Sequence, residues 1–305
     1  MTPVRVGTRA SALARAQTSL ITDAIAELGR KVETVEIVTH GDRSTAALTQ
    51  IGGTGVFVSA LRTALLSGEI DVAVHSYKDL PTAPAAGVTI AAVPPREDPR
   101  DALVARDGLV LGELPPGARV GTGSPRRAAQ LKALGLGLEV VPLRGNVDTR
   151  LRKVSDGELD AVVLAYAGLR RLGRHAEVTE ILDPIQMLPA PAQGALAIEC
   201  RPGDAAALEV VAALESPDTR AAVTAERALL AALEAGCLAP VAALAEVAEG
   251  DDGLEVFLRG SVTASDGSDA VRLSATGPTT DAEGVGRRLA AELLAEGADT
   301  MMGSS

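Results

Sequence analysis

Lys78 and Asp79 set an ammonium beside a carboxylate in the run His75-Ser76-Tyr77-Lys78-Asp79. A carboxylate among cations stays ionised, and it can stabilise a positive charge developing on a neighbour or, once shielded, pass a proton. The plainer reading is an Asx turn ahead of Leu80-Pro81. Arginines stand beside hydroxyls or glycine in Thr8-Arg9-Ala10-Ser11, in Thr122-Gly123-Ser124-Pro125-Arg126-Arg127, in Arg144-Gly145-Asn146 with Arg150, and in Leu169-Arg170-Arg171. Small residues and hydroxyls let backbone N–H groups approach an anion, while guanidinium forks add charge-assisted, often bidentate bonds. Any one such arginine alone reads as solvated surface. The recurrence points to several anions or one polyanion.

Cys237 lies in the short run Gly236-Cys237-Leu238-Ala239-Pro240, whereas Cys200 closes an apolar stretch and reads as a core thiol. A loop thiol can serve as a nucleophile, although most do not. His40, His75 and His175 show neither i, i+4 spacing nor a C-x-x-C partner, so no metal is expected. Gly52-Gly53-Thr54-Gly55 reads as a flexible loop, and without a Walker A or complete G-x-G-x-x-G motif no nucleotide cofactor is expected.

The elements that must carry these residues alternate. Val4 to Gly7 reads as a buried strand, and Ser11 then caps a helix with Leu13, Gln17, Leu20, Ile21, Ala24 and Leu28 at helical spacing, ended by Gly29. Strand Val32 to Val38, a Gly/Thr/Ser-rich loop from Thr39 to Val56, a helix with Phe57, Leu61, Ala64 and Leu65 on one face, and strand Ile70 to Val74 follow. That order predicts a parallel α/β sheet, and in such a sheet ligands sit beyond the carboxyl ends of the strands, where helix N-termini point. After the Pro- and charge-rich crossing Pro94 to Arg100 a second alternating unit runs through strands Arg119 to Gly121, Glu139 to Pro142 and Ala161 to Leu164, with helices from Ser124 and Asn146. Leu188 to Gly194 reads as another crossing, and Ala195 to Cys200 as a strand able to return to the first sheet; two linkers joining the same two lobes predict a hinge. From about Asp218 the texture becomes a long Ala/Leu helix to Gly236, two or three strands with a hairpin turn at Asp266-Gly267, and a last helix from Thr280 to Glu296. The expected division is 1–95 with 195–215, 100–188, and an α+β domain at 217–305 that carries Cys237.

Composition bounds the rest. At 305 residues the chain exceeds what one core usually supports. No apolar run approaches the roughly 20 residues that span a bilayer, and the N-terminus enters a strand pattern without a signal-like h-region, so a cytoplasmic protein away from membranes is expected. A net charge of -11 and 1% aromatic residues speak against nucleic acid. Of the 29 basic residues only Lys31, Lys78, Lys132 and Lys153 are lysine. GC-rich coding produces such a bias, so the position of the arginines, not their number, is informative.

The ordered set T-R-A-S, V-T-H-G-D, I-G-G-T-G-V-F, V-H-S-Y-K-D-L-P, R-E-D-P-R-D-A, G-T-G-S-P-R-R, L-R-G-N-V-D-T-R, L-A-Y-A-G-L-R-R-L, Q-G-A and E-A-G-C resembles the porphobilinogen deaminase (hydroxymethylbilane synthase) family over nearly the whole chain. The resemblance implies a fold of two periplasmic-binding-protein-like lobes joined by a hinge, plus a smaller α+β domain. It implies a transferase of porphyrin and haem biosynthesis that joins four porphobilinogen molecules, releasing ammonia each time, into hydroxymethylbilane. The chain grows on a dipyrromethane primer held by a thioether to the cysteine matching Cys237. Asp79 matches the catalytic carboxylate, which assists ammonia loss and stabilises the azafulvenium cation that the growing chain attacks. Arg9, Ser11, Lys78, Arg126, Arg127, Arg144, Arg150 and Arg171, with the hydroxyls of Ser76, Thr122 and Ser124, match residues that hold the acetate and propionate groups of cofactor and substrate. Phe57 matches the loop that closes over the site. A monomer, with possible handover of product to a cyclising synthase, is implied as well.

The chain departs from the family pattern at several positions, G-T-S-S-L-R-R appearing as G-T-G-S-P-R-R with Pro125 in place of leucine. Thr54 stands where Lys is usual, Gly123 replaces a serine and costs one hydroxyl contact, and Ala235 precedes Gly236-Cys237 where Gly is usual. A two-lobed protein that only binds its ligand is the competing reading, since fold alone assigns no chemistry; it would need neither Asp79 nor Cys237.

Overall fold

β1 (Val4–Thr8) buries four of its five positions and leads to α1 (Ala12–Glu27), which Ser11 caps by accepting the Ala14 N–H at 3.3 Å. The computed structural model describes residues 2–37, 55–234, 239–250 and 253–302, with 55–57 described by backbone alone. β2 (Val32–Glu36) pairs in parallel with β1. α2 (Gly55–Leu66) then precedes β3 (Val72–Ser76), also parallel to β1, and a 3-10 turn at Tyr77–Asp79 leads on toward β4 (Thr89–Ala92). Next come β5 (Asp101–Ala105), β6 (Arg119–Thr122), α3 (Pro125–Ala133), β7 (Glu139–Pro142), α4 (Val147–Ser155), β8 (Ala161–Ala165), α5 (Tyr166–Arg171) and the short β9 (Glu180–Ile181). β10 (Leu196–Cys200), α6 (Ala205–Ala212) and α7 (Pro217–Ala232) lead into β11 (Val241–Gly250), β12 (Gly253–Thr263) and β13 (Ala270–Pro278). α8 (Ala282–Ala295) and the single turn α9 (Ala298–Met301) close the chain.

Two compact units result, residues 1–96 with 195–220, and residues 97–194 with 221–305. The first holds the sheet β2-β1-β3-β10-β4; the second holds β7-β6-β8-β5-β9 and the antiparallel meander β11-β12-β13. Both five-stranded sheets begin as a parallel run in which the first strand lies between the second and third. A strand from elsewhere in the chain then joins antiparallel, β10 beside β3 and β5 beside β8. The sheets are therefore mixed rather than parallel. β5, directly after the crossing Pro94 to Arg100, is a strand the sequence pattern did not assign: A-L-V-A is a short, fully buried run, too brief for periodicity to reveal.

Each five-stranded sheet is covered on both faces. Val4, Val6, Val72, Val74, Ile21 and Ile25 form the α1 side of the first, and Leu61, Leu65, Ile70 and Ala73 the α2 side. The buried stripe of α1 is Gln17, Thr18, Ile21 and Ile25, whereas Leu20 and Leu28 are about half exposed, at 51% and 49%. The helix is thus rotated from the face its leucines suggest, because Ile21 and Ile25 together bury more branched carbon against the sheet, each worth about 1.5–3 kcal/mol. In the second unit Leu103, Val120, Leu131 and Val163 pack on one face and Leu143, Leu151, Val162 and Leu169 on the other. The meander lays Val256, Leu258 and Val262 against Leu229, Leu289 and Leu293.

Candidate functional site

The first unit presents its charged residues where β3 runs out. His75 lies opposite Ala197 and Ser76 opposite Leu196 on β10, so the strand extends two residues past the apolar run that marks it in sequence. Alternation sends neighbouring side chains to opposite faces. On one face Glu199, 1% exposed, receives Arg62 Nε at 3.0 Å and Arg62 Nη2 at 2.6 Å, and His75 Nε2 lies 3.1 Å from its Oε2. Burial pushes the Glu199 carboxyl up, but His75 beside it at 3.1 Å and the hydrogen bonds from Arg62 overcome this and hold it down to about 2. On the other face Gln17, the polar member of the α1 stripe, meets Ser76 with 2.8 Å between Nε2 and Oγ.

The turn that follows is fixed through its backbone: the Tyr77 N–H donates to Ala195 O at 3.0 Å and the Leu80 N–H to Tyr77 O at 3.1 Å. Tyr77 is buried, Lys78 half-buried and Asp79 exposed. The Asp79 carboxylate makes no hydrogen bond among the described residues, so no Asx turn uses it. In the same unit Arg9 is half-buried after β1, Thr8 accepts the Thr18 hydroxyl at 2.9 Å, and Ser11 is engaged as a cap.

The second unit gathers its arginines after β6, β7 and β8. Ser124 caps α3 by accepting the Arg127 N–H at 3.4 Å, Pro125 occupies the first helical position, and Thr122 Oγ1 accepts the Ser124 N–H at 3.2 Å. Asn146 caps α4 through the Thr149 N–H at 2.9 Å. These hydroxyls and amides shape the backbone of the loops before they could touch any ligand. Arg126 and Arg127 are buried, and both meet the fully buried Asp101: Arg126 Nη2 reaches Oδ2 at 2.7 Å, Arg127 Nη2 and Nε reach Oδ1 at 2.7 and 3.0 Å. Gln193 Nε2 adds a bond to Asp101 Oδ1 at 2.8 Å and one to Pro99 O at 2.7 Å. Burial disfavours the Asp101 anion, yet the two guanidiniums hold its carboxyl far below the usual range.

Charge compensation is incomplete there. Burial, and then Arg127, lower the pKa of Arg150, whose Nε donates to Gly145 O at 2.8 Å. Burial likewise lowers that of Arg171, whose Nη2 donates to Gly194 O at 2.6 Å. Arg126 is lowered by burial first, with Asp101 opposing and Arg127 adding to the effect. Among the described residues Arg126 Nε and Arg171 Nε are buried without a hydrogen-bond acceptor. Arg144 is exposed at the Arg-Gly-Asn turn. A set of guanidiniums short of carboxylates, with donors left over, suits carboxylate-bearing ligands.

Gly123 has a structural reason. A Cβ there would fall 2.5 Å from Leu143 O, so the backbones of two loops meet where a serine would intrude. Sequence reasoning passed over Asp101, Gln193 and Glu199, although a carboxylate inside an apolar strand, as in A-I-E-C, must find a partner. Cys237, Thr54 and Ala235 lie outside the described residues, as does the side chain of Phe57 at the start of α2. Among the described residues no helix is long and apolar enough to cross a membrane, and no group of His, Cys, Asp or Glu is placed to hold a metal.

Residues 4–209 match the family described as porphobilinogen deaminase, dipyromethane cofactor binding domain, and residues 220–295 the porphobilinogen deaminase C-terminal domain. A porphobilinogen deaminase of Nocardia farcinica is 61% identical over 99% of this chain and 88% of its own length. One from Mycobacterium bovis is 60% identical over 98% of each chain. Among solved structures, a nutrient binding protein from Burkholderia cenocepacia bound to methionine aligns with a TM-score of 0.43 and 16% identity, over 71% of this chain and 93% of its own.

Proposed function

The chain belongs to the porphobilinogen deaminase family, and from that premise we propose how its residues divide the work. It is a transferase that joins four porphobilinogen molecules, with release of ammonia, on a dipyrromethane cofactor in tetrapyrrole biosynthesis. The residues present fit that cofactor. Each of its pyrroles carries carboxylates, and the second unit offers guanidiniums in excess of buried carboxylate, with the Nε–H groups of Arg126 and Arg171 unmet among the described residues. When bound, the cofactor supplies a pyrrole carbon as the nucleophile for chain growth.

Within this reading Arg144, Arg150 and Arg171 hold acetate and propionate groups, as do Arg9, Ser11, Lys78, Ser76, Thr122 and Ser124. Arg126 and Arg127 take part through the edges that Asp101 leaves open. Asp79, exposed and without a partner among the described residues, sets its negative charge against the positive charge that appears on the substrate as the amine departs. Its neighbour Lys78 offers a donor to a carboxylate. Cys237 is the attachment point through its sulfur, and Phe57 belongs to the segment that covers the ring stack. The separate core of the meander and its own family match support treating 217–305 as the module that carries the cysteine. A monomer working in the cytoplasm, with product passing to a cyclising synthase, completes the proposal; a free thiol for the thioether suits a reducing compartment.

The observation that carries the assignment of roles is the shortage of carboxylate around Arg126, Arg150 and Arg171. Intact-protein mass spectrometry tests it. The expected mass exceeds the sequence mass by two porphobilinogen units less two ammonias, with the adduct mapping to Cys237 and lost in Cys237→Ser. An unmodified chain that stays unmodified on incubation with porphobilinogen would overturn it.

A further inference from the structure

The strand that delivers Asp79 is clamped on both faces by polar pairs, and the one on the α2 face, centred on the buried Glu199, has no assigned part in the reaction. On the α1 face the clamp is Gln17 with Ser76. On the α2 face it is Glu199, which joins Arg62 of α2 to His75 of β3. Glu199 pairs with Ala73 across the ladder, so its carboxylate reaches His75 on the diagonal, two residues nearer the strand end. Only three residues then separate His75 from Asp79, and the intervening turn is tied through Tyr77 N–H to Ala195 O, one residue before the strand that carries Glu199. A carboxylate 1% exposed in the apolar strand L-A-I-E-C is an expensive way to fill space, since apolar residues of similar volume serve packing as well or better.

We propose that Glu199 is a positioning residue for the reaction: by holding His75 and Arg62 together it fixes the exit angle of β3 and hence the place of the Asp79 carboxylate. The inference rests on Asp79 being the reacting carboxylate. A displacement of about 1 Å at a catalytic group can cost on the order of 100-fold in rate, so a change in this clamp reads out in turnover.

The test compares wild type, Glu199→Gln and the double variant Arg62→Met/Glu199→Leu in the primer-loaded protein. For Glu199→Gln the expected result is primer present by mass, KM for porphobilinogen within about threefold of wild type, and kcat lowered about 10- to 100-fold. The double variant removes the buried Glu199 carboxylate together with its half-buried partner Arg62 and is expected to restore thermal stability. The proposal expects its kcat to remain low although its melting temperature recovers, because His75 still lacks its partner. Recovery of kcat together with stability, or wild-type kcat in a loaded Glu199→Gln protein, would overturn it by showing that the cluster serves folding alone. A wild-type protein with neither primer nor turnover is a different outcome, which removes the functional reading and this inference with it.

Discussion

Asp79 and Asp101 carry the same charge in opposite circumstances, and their substitutions separate chemistry from stability. Asp79 is exposed and bonded to nothing in the described chain. Asp79→Asn should therefore fold, melt within about 2 °C of wild type and carry its primer, yet turn over at least about 100-fold more slowly; wild-type turnover would sink its assignment as the reacting carboxylate. Asp101→Asn leaves Arg126 and Arg127 buried without their anion and should cost about 3–5 kcal/mol in urea unfolding. Acid acts on a third carboxylate. Glu199 has its carboxyl lowered from 4.5 to about 2, so the stability it contributes is complete above pH 4.5 and is lost as the pH falls toward 2. Melting curves between those limits should fall more steeply for wild type than for Glu199→Gln. The sequence made Asp79 visible because its neighbours are distinctive, whereas Asp101 and Glu199 remained hidden: what defines them is a partner 25 or 137 residues away.

Local rules decide the elements more reliably than the faces they bury. Ser11, Ser124 and Asn146 cap α1, α3 and α4 as their side-chain chemistry leads one to expect, and Ser11→Ala should cost about 1 kcal/mol, seen as a shift in the urea midpoint. The loops these caps close are legible for the same reason. β4, β5 and β9 are not, being short and flanked by proline or charge, and the antiparallel entry of β10 and β5 is a matter of long-range pairing that no local pattern encodes. Gly194 marks where such pairing leaves no slack. Its φ of +87° suits glycine, and a Cβ would come within 2.3 Å of Glu97 O. Gly194→Ala should lower stability by about 2 kcal/mol or more, measured by the same unfolding assay, and should disturb Arg171, which donates to the Gly194 carbonyl.

At the scale of the molecule, changes in sequence texture mark three sheets, while contacts gather the chain into two units, with the second sheet and the C-terminal meander in one. Glu226 shows why the latter two cohere: buried on α7, it accepts the N–H of Ala192 from the connecting segment and that of Ala245 from β11. The overall charge of -11 gives no hint of the cationic pocket residues, since balance is struck locally. The chain has two sulfhydryl residues, and one of them is chemically quiet. Cys200 is buried and its thiol is pushed up to about 12, first by burial and then by nearby acids, so at pH 8 about one molecule in ten thousand exposes it as thiolate. Alkylation therefore becomes a gauge of occupancy. If Cys237 carries the primer, a fully loaded population should take up one equivalent of label on denaturation and a bare population two.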